Sequence, residues 1–149
     1  MSLQQQVMDQ MKVAMKAKNA LALRALRAVK AAFLLASTET GAAEELSEAQ
    51  AMKIIQKQVK QRKDSAAIFQ EQDRMDLAEP EIAQAKILEQ FLPAQMGEEE
   101  LKAAIEAIIS QTGASSMKDM GKVMGMASKQ LAGKADGKAI SMIVKQLLS

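Results

Sequence analysis

The sequence predicts an all-α protein, with an amino-terminal bundle of about four helices followed by a small three-helix tail. Three observations carry that expectation. Ala, Lys, Gln, Glu, Leu and Met, all strong helix formers, dominate the 149 residues, and only two prolines and seven glycines interrupt them. Apolar residues recur at intervals of three and four, the period of a helix face. Serine and asparagine caps and glycine stops stand where the apolar stripes begin and end.

Leu3, Val7, Met11, Ala14 and Met15 place one apolar face on a first helix that should end near Lys18. Asn19 is a plausible cap for the second. Its inward face would be Ala22, Leu26, Val29, Phe33 and Ala36, ending at the breaker Ser37-Thr38-Glu39-Thr40-Gly41. Ser47-Glu48-Ala49-Gln50 is a capping box that opens a long third helix with the stripe Met52, Ile55, Val59, Ala66 and Phe69. A fourth helix after Gln72-Asp73 should carry Leu77, Ile82 and Leu88, with its start marked by Pro80. It should stop at Phe91-Leu92, because Pro93 disfavours helical geometry in the residue before it.

Pro93 to Gly97 reads as a hinge, so residues 1–92 and 97–149 are expected to form two domains. In the second, Glu98-Glu99-Glu100 complements the dipole of a fifth helix with Leu101, Ile105, Ile108 and Ile109 on its core side. Ser116, with Asp119 three residues on, should cap a sixth helix opening near Met117 and ending at Gly133. Asp136 should cap a seventh from Gly137 or Lys138. Gly121 and Gly125 lie inside the sixth helix on one face, and each costs about 1 kcal/mol relative to alanine. Close packing against a neighbouring helix would justify that cost, and so would a backbone left bare for a ligand or a phosphate.

Composition narrows the chemistry. The chain has neither histidine nor cysteine, which removes the usual general base, the thiol nucleophile, any disulfide or thiolate metal site and the usual catalytic zinc ligand; no catalytic residue, metal site or cofactor is expected. Ser115-Ser116-Met117-Lys118 has a Ser-x-x-Lys spacing, but its companion motifs are missing. Gly133 to Lys138 lacks the spacing of a nucleotide phosphate loop. No signal peptide or apolar run long enough to span a bilayer is apparent, so a cytoplasmic protein with no membrane partner is expected.

Charge is segregated behind a net value of +2. From Asp76 to Glu106 eight acids face only Lys86 and Lys102, a net of −6; from Ala107 onwards six lysines face Asp119 and Asp136, a net of +4. Lys12, Lys16, Lys18, Arg24, Arg27 and Lys30 form a basic block with no acid between them, and Lys53, Lys57, Lys60 and Lys63 share a face of the third helix. Arg62 falls on an apolar seam. It needs a carboxylate partner or an escape to the surface, or else it converges with Lys63 and Arg27, beside Lys60, on an anion. In the tail, the helix tip at Gly137 between Lys134 and Lys138 suits a phosphate oxygen, and Lys122 would add a contact. With 2% aromatic residues there is almost nothing for unstacked bases to sit on, so a folded RNA read by backbone and shape fits better than a single strand.

Several of these segments carry a family resemblance. Asp119-Met120-Gly121-Lys122-Val123-Met124-Gly125, Gly133-Lys134-Ala135-Asp136-Gly137 and the ending Ile143 to Leu148 resemble the tail domain of the B subunit of aspartyl/glutamyl-tRNA amidotransferase. They resemble the free-standing YqeY-like proteins more closely. Val59 to Ser65, Ile87 to Pro93 and, more weakly, Leu26 to Lys30 are similar to further signatures of that family. In the amidotransferase the tail contacts the tRNA elbow, while activation and amide formation occur in another domain and a partner subunit. The resemblance therefore implies a tRNA-binding accessory protein, linked to tRNA-dependent amidation and not catalytic alone. Its family label is carbon–nitrogen ligase with glutamine as amido-N-donor. Carried over are Gly121, Lys122, Gly125, Lys134, Gly137 and Lys138, with Arg27, Lys60, Arg62 and Lys63 as a second basic cluster. An amidotransferase or an aminoacyl-tRNA synthetase would be the protein partner. The alternative is a helical protein–protein interaction adaptor that docks a partner on Met120, Met124 and Met126.

Overall fold

Capping chemistry sets most of the helix boundaries in the computed structural model, which describes residues 2–39 and 46–149. The Ser2 hydroxyl accepts from the Gln5 N–H and opens α1 (Leu3–Lys16). Asn19 Oδ1 accepts from the Ala22 N–H at 3.1 Å and starts α2 (Ala20–Glu39). Ser47 and Gln50 exchange the reciprocal bonds of a capping box at the head of α3 (Glu48–Glu71), and α4 (Met75–Glu89) follows a tight turn in which Asp73 has φ 59°. The second half contains α5 (Glu98–Thr112), a 3₁₀ turn (Met117–Asp119), α6 (Met120–Gln130) and α7 (Gly137–Leu148). Among the described residues there is no strand, and the all-α expectation holds.

The chain divides into two compact units, Met1–Leu92 and Pro93–Ser149. In the first, Leu3, Val7, Met11 and Ala14 of α1 meet Ala25, Leu26, Val29 and Phe33 of α2, with Ile55 and Val59 of α3 and Leu88 of α4 completing the core. Burying a side chain such as Leu26, Ile55 or Leu88 contributes about 1.5–3 kcal/mol. The second unit has its own core of Leu101, Ile105, Ile108, Val123, Ala127, Leu131, Ile140, Ile143, Val144 and Leu148, in which α5, α6 and α7 pack on one another.

Several local expectations need correction. Met15 is exposed, not part of the α1 core face, because the stripe is completed by Ala14. Ser37, Thr38 and Glu39 continue α2, with the Thr38 hydroxyl donating back to the Leu35 carbonyl; the rest of the expected breaker, Thr40-Gly41, lies outside the described residues. Pro80 does not mark the start of α4, which opens five residues earlier and carries the proline inside it. The Arg74 guanidinium grips Asp76 with two hydrogen bonds of 3.0 and 2.8 Å, and fully buried Ala78 packs this early part of α4 inward. Packing along α3 thus outweighs the one backbone bond that a proline forgoes. Leu77, expected in the core, is exposed.

Candidate functional site

The tail helix α6 has one buried edge, Val123 and Ala127, and the opposite face bears the glycines. Gly121 and Gly125 are both exposed, and a Cβ added at either would meet nothing within 4 Å. Helix packing therefore does not account for them. Lys122 and Lys129 lie seven residues apart, nearly two turns, so two ammonium groups line one edge of the strip of bare backbone on the solvent side. Lys129 was not among the expected site residues. Its spacing from Lys122 and Gly125 was the available signal.

The start of α6 is built differently from the expected capping box. The Ser116 side chain makes no cap bond, and the Asp119 carboxylate instead accepts from the Ser115 N–H at 3.1 Å. That bond tightens the entry into a 3₁₀ turn, and the α-helix proper begins at Met120. The helix also stops short of Gly133: Gln130 is its last residue, and Gly133 lies beyond it with φ 76° in the left-handed region.

Lys134, within the α6–α7 connection, and Lys138, in the first turn of α7, are both exposed. The loop is held from behind, since the Gln95 side-chain amide donates to the Gly133 carbonyl at 2.7 Å and the Met96 N–H donates to the Lys134 carbonyl at 3.0 Å. Pro93 to Gly97, expected as a hinge, thus falls within the second unit and is bonded twice to its α6–α7 connection. At the tip of α7, Gly137 is open, but Asp136 Oδ1 already accepts from the Lys138 N–H at 2.7 Å. A carboxylate occupies part of the positive helix end, so a phosphate there would compete with it. At α6 the N-cap is also an aspartate, Asp119, but its carboxylate is turned to the Ser115 N–H and makes no cap bond to the helix.

The second basic cluster does not present four free cations. Arg62 is half-buried: its Nε donates to Gln84 Oε1 at 3.3 Å, and one terminal nitrogen donates to the Gln58 carbonyl and to Gln58 Oε1 at 3.2 and 2.7 Å. Gln84 is only 3% exposed, so this arginine is paired by amides in place of the expected carboxylate. Burial pushes the Arg62 pKa down, and the Glu81 carboxylate opposes the shift. Lys63 forms a 2.6 Å ion pair with Glu89, which ties α3 to α4. Arg27 is exposed on α2, and Lys60 is half-buried on α3. The methionines expected to face a partner, Met120, Met124 and Met126, pack against the core of their own unit.

Among the described residues no group of histidine, cysteine or carboxylate side chains is placed to hold a metal ion, and no helix is long and apolar enough to cross a membrane. Fold and surface together define an all-α protein of two units, the second bearing a lysine-flanked, glycine-bared helix face. A family model described as Yqey-like protein matches residues 4–148, and the chain belongs to that family. No curated protein matches the chain.

Proposed function

We propose that this chain is a tRNA-binding accessory protein that holds the RNA backbone on the outward face of α6 and presents it to an enzyme of tRNA-dependent amidation. The openness of Gly121 and Gly125 carries the reading, because a glycine inside α6 and another in its first turn, with nothing packed against either, need a reason outside the fold. A phosphate approaching that strip would meet backbone in place of side chains, with Lys122 and Lys129 beside it and Lys134 and Lys138 at the next connection. Bond-making belongs to the partner, an amidotransferase or an aminoacyl-tRNA synthetase, in keeping with a chain that lacks histidine and cysteine. Replacing Lys122, Lys129, Lys134 and Lys138 with alanine tests the site. Log affinity for tRNA falls linearly with log salt, and each lost phosphate contact reduces the slope by about one. A slope unchanged in the fourfold variant would remove the tail face from the site.

A further inference from the structure

We propose that the groove between α1 and α2 docks an acidic amphipathic helix of a partner protein. Val7 and Met8 of α1 and Phe33 and Leu34 of α2 form its apolar walls, and Lys30 stands at its edge. Val7 and Phe33 are buried and form its floor, Met8 is half-buried against the core, and Leu34 stands 57% exposed at the rim. Spacing organises the rim: Leu23, Arg27, Lys30 and Leu34 share one side of α2, and Met8, Lys12 and Met15 share one side of α1. The two helices pack against each other, and the cavity opens at the end of the seam lined by Gln4, Val7, Met8, Lys30, Phe33, Leu34 and Ser37.

Charge selects the occupant. Every ionised side chain from Lys12 to Lys30 is cationic, and Lys12, Arg27 and Lys30 are exposed. None of those three takes part in an ion pair among the described residues. A nucleic-acid backbone would use the cations and leave the apolar floor wet. A helix with an apolar stripe and acidic flanks satisfies both, the stripe entering the groove and the carboxylates meeting the rim. From Leu23 to Ser37, α2 offers about 21 Å, which matches about four turns of such a helix. This site is separate from the α6 face, and the failure of either leaves the other standing.

The test uses the full chain, isotopically labelled for amide NMR, and a synthetic helical peptide of about 16 residues with leucines at i, i+3, i+4 and i+7 and glutamates beside them. A twin peptide carries lysines in place of the glutamates. The acidic peptide is expected to bind saturably and to shift the amides of Met8, Met15, Leu23 and Leu34, and the lysine twin to leave them unmoved. Leu34→Glu adds charge at an exposed position, so the fold should persist by circular dichroism while affinity falls about tenfold or more. Absence of saturable binding, equal binding of both peptides, or affinity unaltered by Leu34→Glu overturns the proposal. So does a titration in which tRNA or anionic phospholipid vesicles shift those amides and the acidic peptide does not.

Discussion

Replacing both Gly121 and Gly125 with alanine should make the protein more stable and a poorer RNA binder. Both residues lie within α6, neither has a positive φ, and the new methyl groups would enter open space. Alanine at Gly125, inside the helix, removes a propensity deficit worth about 0.8–1.0 kcal/mol, and alanine at Gly121, in the first turn, removes a smaller one. The two methyls meet no common neighbour, so the gains should add to about 1–1.5 kcal/mol. For a unit of this size about 1 kcal/mol moves the midpoint by about 4–8 °C, which gives an upward shift on the order of 10 °C in the tail transition. Differential scanning calorimetry of the full chain reads the shift, and a tRNA titration of the same variant reads the cost. Methyl groups on the bare strip hold a phosphate away from the helix, and a loss of about tenfold, or about 1.4 kcal/mol, is expected. A lowered midpoint would mean that the glycines serve packing after all. A raised midpoint with unchanged tRNA affinity would separate them from the RNA site.

Two further predictions concern the first unit. Gln84→Met should destabilise by about 1–3 kcal/mol, because it strips a half-buried guanidinium of its Nε acceptor; Arg62→Met should cost a similar amount by leaving a buried amide unpartnered. The double variant should lose less than the sum, and urea unfolding of the four proteins measures that coupling; strict additivity would show that the two side chains act independently. Asp76 is held below its ordinary carboxyl pKa, first by its hydrogen bond from Arg74 and then by the charge of that guanidinium. Its folded pKa is depressed, so its contribution is full above the unfolded carboxyl pKa and disappears as pH falls through the lowered folded value. Asp76→Asn should therefore flatten the acid limb of the stability profile slightly, since the pair is exposed, and an identical profile would exclude it from the linkage.

The parts of this fold that were legible in the sequence are those set by local rules. The Ser47–Gln50 box, the Asn19 and Asp136 caps, and the stripes from Leu3 to Ala14 and from Leu101 to Ile108 depend on residues three or four apart, and sequence displays those directly. The Ser116 cap failed locally, to the Ser115–Asp119 bond, but much of what escaped was decided by distant contacts. Pro80 reads as a helix start until α3 is seen beside it, and Arg62 reads as a charge seeking a carboxylate until Gln84 arrives from another helix. At the candidate site, lysine spacing marked the tail as basic, but whether Gly121 and Gly125 were filled or open depended on what lay opposite them. The same limit hid the capture of the Gly133–Lys134 backbone by Gln95 and Met96, some 38 residues earlier in the chain. The methionines of α6 misled for the opposite reason: a stripe suited to a partner helix is equally suited to its own core.

Recognition of a folded RNA through its backbone and shape is what we propose for the tail. Its most direct test is a titration of the purified chain with total tRNA, against an RNA duplex of equal length, at low and moderate salt. Tighter binding to tRNA at both salts is expected, with affinity for each falling linearly on logarithmic axes. Equal affinity for the two would reduce the interaction to net positive charge, and absence of tRNA binding at low salt would contradict the account outright.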